Sequence, residues 1–81
     1  PMNPLRKLYK YIHDRIVQKV NKAYDIKLNE AHRAYDKVWR SGKRTKQDYP
    51  RYQAKLKRLE EERVSEIREK LSRWDWLEKL T

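Results

Sequence analysis

The chain has 81 residues, a net charge of +10, 42% charged residues and no cysteine. That length holds a single small domain, and the absence of cysteine excludes a disulfide framework and thiolate metal sites. No apolar run reaches even the roughly seven residues of a signal-peptide core, let alone the roughly 18 of a spanning helix, so neither of these nor integral membrane association is expected.

Leu, Ile and Val together number sixteen and Phe is absent, a composition close to that of disordered chains. Six Tyr and three Trp restore apolar bulk, so a folded protein completed by a partner chain is expected. Pro1 ahead of Met2 reads as a residue left by tag removal.

From Pro4 to Ser41 the only proline is Pro4, which suits a first helical turn, and there is no glycine. The spacing predicts a helix over about 4–41, with Leu5, Tyr9, Ile12, Ile16, Val20, Ala23, Ala31, Ala34 and Val38 forming an apolar stripe. Gly42 suits the position just past a helix end. A basic loop is expected over 42–48, and Asp48 ahead of Tyr49-Pro50 reads as the cap and first turn of a second helix over about 49–80. Its stripe is Tyr52, Leu56, Leu59, Ile67, Leu71, Trp74 and Leu77. Leu5 to Ile16, Tyr9 to Val20 and Leu56 to Ile67 are each eleven residues apart, a period that favours nearly straight helices. The expected fold is all-α, a long antiparallel two-helix hairpin that dimerises into a four-helix bundle to cover its apolar stripe. Asn29, cap-like, offers an alternative, a three-helix monomer with a break near 25–29.

Charge is unevenly spread. Residues 1–58 carry 17 Lys/Arg against 5 Asp/Glu, whereas residues 59–81 carry 5 against 7. In the first helix Arg15, Lys19 and Lys22 are spaced i, i+4, i+7, and Arg33, Lys37 and Arg40 repeat that spacing eighteen residues later. Eighteen residues are about five whole turns, so the six form one ridge roughly 35–40 Å long, suited to following a phosphate backbone. Lys43, Arg44 and Lys46 extend the positive charge into the loop, beyond what the helix dipole alone calls for. These nine residues are the candidate nucleic-acid contacts.

In the second helix Arg51, Lys55 and Arg58 share an edge with Glu62, Glu66 and Glu69 in opposite sign, arranged about residue 60. Two copies packed antiparallel there would pair each cation with a carboxylate. The edge, with Leu56, Leu59, Ile67, Leu71 and Trp74, is the candidate self-association surface. Trp39, beside the basic loop, either covers the hairpin turn or stacks on a base, and Trp76 points away from Trp74. Both Trp39 and Trp76 are candidate contacts for a protein partner.

His13 and His32 lie nineteen residues apart with only Asp36 near the second, short of a metal site. There is no glycine-rich phosphate loop and no nucleophile with a base at readable spacing, so enzyme is the least favoured class and no cofactor is expected. The primary reading is a non-enzymatic nucleic-acid binder that grips phosphates, DNA or RNA, without base readout. The alternative is an adaptor, inhibitor or scaffold that engages an acidic protein, of the kind phages and plasmids carry as accessories, with a cytoplasmic location (the host's, if viral). Peripheral membrane binding ranks below both, because the apolar face holds Ala and Tyr where membrane helices carry bulkier groups.

Overall fold

The computed structural model describes residues 3–81, so the reading of Pro1 lies outside it. Three helices follow one another, α1 over Pro4–Ser41, α2 over Asp48–Ser72 and α3 over Asp75–Lys79. The fold is an all-α helical hairpin, with α2 packed along α1.

Local chemistry explains both ends of α1. The Asn3 side chain accepts a hydrogen bond from the Leu5 N–H at 2.9 Å, and Pro4 occupies the first turn, where its missing N–H costs nothing. At the other end Gly42 takes φ 71°, the left-handed region that a side chain resists, and so stops the helix. Between these caps α1 runs unbroken through residues 25–29. Asn29 does not interrupt it because Tyr24, Leu28 and Ala31 carry the α2-facing surface straight across that stretch, and packing outweighs a weak local preference. The 38 residues of α1 span about 57 Å at 1.5 Å per residue. The molecule is 59 Å long and only 17 by 15 Å across, so α1 is effectively its long axis.

The loop is held from its own side chains. The Thr45 N–H donates to Asp48 Oδ2 at 2.6 Å, and the Gln47 N–H donates to Thr45 Oγ1 at 3.3 Å. Asp48 is therefore the first residue of α2, reaching back over the turn, and Gln47 holds the cap position.

The second helix ends earlier than its periodicity predicts. The backbone turns at Arg73 and Trp74, and α3 folds onto α1. No Gly or Pro marks this break. Its physical reason is Leu77, which the turn buries to 1% exposure, the deepest burial among the described residues. Burying a leucine yields about 1.5–3 kcal/mol, enough to outweigh the loss of a helical turn. The Ser72 hydroxyl, bonded to the Glu69 carbonyl at 2.6 Å, competes with the helix there. Tyr9 donates to Glu78 at 3.3 Å, joining the start of α1 to α3.

The core between α1 and α2 consists of Val20, Tyr24, Ala31 and Leu59, with Ile16, Leu28, Leu56 and Ile67 packed against it. Tyr24, rather than the expected Ala23, faces inward, and Ala23 and Ala34 are exposed. Arg63 occupies a stripe position of α2. Its guanidinium crosses to Asn21 of α1 at 2.8 Å and also bonds Glu60 on its own helix.

Candidate nucleic-acid interface

Packing fixes which side of α1 is free. At about 100° per residue, Arg15, Lys19, Lys22, Arg33, Lys37 and Arg40 centre roughly 150° from the face carrying Val20, Tyr24 and Ala31. All six are exposed. Arg40 bridges to Asp36 at 3.1 Å, an exposed i, i+4 pair. Among the described residues the other five make no ion pair. The ridge is thus two positive clusters on the side opposite α2, separated by the exposed Ile26 and with Glu30 beside Arg33, and its side chains are available to an anion. Lys43, Arg44 and Lys46 continue it around the tip and are exposed as well.

Aromatic rings gather at that tip. Tyr35 and Tyr52 stack with centroids 4.4 Å apart, and Tyr35 also meets Trp39 at 6.4 Å and Tyr49 at 6.1 Å. Arg44 lays its guanidinium 3.3 Å from the centroid of the Trp39 ring. His32 hydrogen-bonds through Nδ1 to the Tyr52 hydroxyl, so its partner is Tyr52 and not Asp36, which is taken by Arg40. Trp39 was legible as an outlier from the stripe, but the cluster around it was not. Its signal was Tyr35 and Trp39 four apart before the loop and Tyr49 and Tyr52 three apart after it, a spacing that puts each pair on one face.

The chain matches no known protein family, no curated protein and no solved structure. The assignment of a site therefore rests on geometry and charge.

The self-association candidates are divided by the fold. Leu59 is buried against α1, Leu56 and Ile67 pack onto that core, and Leu71 and Trp74 are half-buried. The apolar members are thus largely committed within one chain. On the charged edge Arg51 donates to Gln47 at 3.1 Å, Glu66 pairs with Lys70 at 3.2 Å and Glu69 with Arg73 at 3.5 Å. Lys55, Arg58 and Glu62 are exposed with no ion pair among the described residues. Trp76 lies at the opposite end of the molecule from Trp39 and is 57% exposed. Its ring is tilted against Trp74 at 6.1 Å and does not point away from it, because the break at Arg73 and Trp74 removes the helical angle expected between them.

Titration is shifted by pairs along α2 and by burial of two tyrosines of α1. Hydrogen bonding from Arg63 holds the Glu60 carboxyl below its ordinary range, and Lys70, with help from Tyr24 and Lys27, does the same for Glu66. Burial, then the nearby Glu66 carboxylate, raises the Tyr24 phenol, and burial with Glu78 raises Tyr9. No group of three or more metal-ligating side chains comes together among the described residues. No helix among them is long and apolar enough to cross a membrane.

Proposed function

We propose that this protein binds nucleic acid through its phosphates, with α1 lying along the backbone. The observation that carries this reading is the basic ridge, straight, exposed and almost free of internal acid partners on the side of α1 turned away from α2. The i, i+4, i+7 spacing repeated at an interval of five turns keeps these cations on one side of the helix. A long rod with no helix projecting from it grips the backbone and does not read bases in a groove.

The exposed area supports a dimer as the working form. The chain exposes 6896 Å², whereas a compact monomer of this mass exposes about 5,300 Å². A standard interface removes about 800 Å² from each partner, so pairing would remove about half of that excess. A second function, recognition of a protein, draws on a separate surface. Leu5, Leu8, Trp76 and Leu80 are exposed where the start of α1 meets α3, and apolar side chains gathered at one end suit a protein partner.

Fluorescence anisotropy with labelled nucleic acid across a salt series tests the primary reading. Affinity in the micromolar range is expected, with log K falling linearly against log salt. The slope approaches about −5 if all six ridge cations release counterions from duplex DNA. Replacing Arg15, Lys19, Arg33, Lys37 and Arg40 by Glu abolishes this binding. No binding below about 100 µM, where even non-specific binders register, would refute it. A partner whose capture survives nuclease and requires Trp76 would then establish the second.

A further inference from the structure

The ridge accounts for phosphate contact but leaves the aromatic tip unexplained. Tyr35 and Tyr52 can be understood as packing, since both are half-buried and tie α1 to α2. Trp39 and Tyr49 cannot, being 52% and 55% exposed. They border an open cleft of about 480 Å³, together with Tyr35, Arg44 and Lys46. That volume falls within the range of small-molecule sites, about 300–1,000 Å³.

The charge around the cleft is one-sided. Residues 40–58 contain eight Lys/Arg and a single acid, Asp48. The Asp48 carboxylate is engaged by the Thr45 N–H at 2.6 Å, so it belongs to the turn. Arg33, Lys37 and Arg40 lead toward the cleft along α1 at intervals of about 4.5–6 Å. The ridge therefore delivers a polyanion to a place where flat π-surfaces are exposed.

These two properties together select the ligand. An acidic peptide would be served by the cations, but its carboxylates make no use of the rings, which only apolar side chains of its own would cover. A duplex would be served by the ridge, but keeps its bases stacked inside. An unpaired nucleotide uses both, its base stacking on an aromatic face and its phosphate meeting a cation. The position of Arg44 fits this use. Its planar guanidinium already covers one face of the Trp39 indole, as a base would, and a base entering there releases Arg44 to the adjacent phosphate.

We propose that the hairpin tip is a single-strand site, in which an unpaired base stacks on Trp39 against Tyr49 while Lys43, Arg44 and Lys46 hold the flanking phosphates. This inference rests on the phosphate-binding reading of the ridge and adds a preference for unpaired over paired strands.

The test compares a labelled oligothymidine of about 15 nucleotides, the upper range for one small single-strand site, with a labelled duplex of equal length. Both are titrated by anisotropy at one physiological salt concentration, with helicity of each variant checked by circular dichroism. The wild-type chain is expected to bind the single strand more tightly. Trp39→Ala lowers affinity for the strand about tenfold, the worth of one stacked base, and leaves the duplex nearly unchanged. Trp39→Phe, which keeps a π-face, retains most of the preference. The ridge reversal weakens both probes. If Trp39→Ala weakens both equally, or neither, or if the wild-type chain binds both probes equally, the tip site is wrong while phosphate binding stands. If the wild-type chain binds neither probe, both readings fall together.

Discussion

The rings of Tyr35 and Tyr52 lie face to face, 4.4 Å between centroids and 6° from parallel, and clamp the end of α1 to the start of α2. Because the loop between them is short and polar, this stack with its neighbours holds the hairpin closed at the tip. His32 adds a hydrogen bond to the Tyr52 hydroxyl.

Removing that clamp is expected to weaken the whole fold, since only five of the described residues are buried. Tyr52→Ala should lower stability by about 2–3 kcal/mol, combining lost area and lost ring contact. Tyr52→Phe removes only the hydroxyl and should cost about 1 kcal/mol. Urea unfolding followed at 222 nm measures both. A double-mutant cycle with Tyr35→Ala should give a coupling of about 0.5–1.5 kcal/mol, and no coupling would mean the stack contributes nothing.

The left-handed residue at the end of α1 offers a second, local test. A Cβ added at Gly42 would meet no atom within 4 Å. The cost of Gly42→Ala is therefore the backbone strain of φ 71° alone, about 1 kcal/mol. Gly42→Asn, which tolerates this region better, should lose less. Equal stability of the Ala variant in thermal unfolding would contradict the cap.

Leu77 carries the docking of α3. Leu77→Ala should cost about 2–4 kcal/mol if α3 unfolds with the rest, as large-to-small core changes do. If α3 detaches by itself, amide exchange should quicken over 73–81 while α1 and α2 keep their protection. A variant with unchanged exchange in 73–81 and unchanged stability would show that Leu77 does not anchor the segment.

Stability should hold between weakly acidic and weakly alkaline pH and fall at both ends. Glu60 and Glu66 titrate below their ordinary 4.5 when folded. Their contribution is thus complete above that value and lost as pH falls through the folded values. Tyr9 and Tyr24 titrate above their ordinary 10.0 when folded. Their contribution is complete below that value and lost as pH rises through the folded values. Thermal unfolding across pH reads both limbs. In Tyr24→Phe the alkaline fall should shrink, and its persistence at full size would assign the effect elsewhere.

What the residue order determined by itself was periodic and local. Apolar side chains at intervals of three and four, the single glycine and the prolines were enough for two long helices, their antiparallel arrangement and the ends of α1. The same arithmetic placed the basic ridge on one side of α1, because a helix converts spacing into direction with no help from packing. The rest depended on which surfaces meet. Tyr24 took the inward place expected of Ala23, Arg63 sat in an apolar stripe because Asn21 lay opposite, and the second helix broke before Trp74 because Leu77 could be buried against α1. The aromatic cluster at the tip joins residues from both sides of the loop. Such choices are set by the energy of burial and of satisfied polar groups between elements, which no spacing along the chain records, and only the tertiary structure decides them.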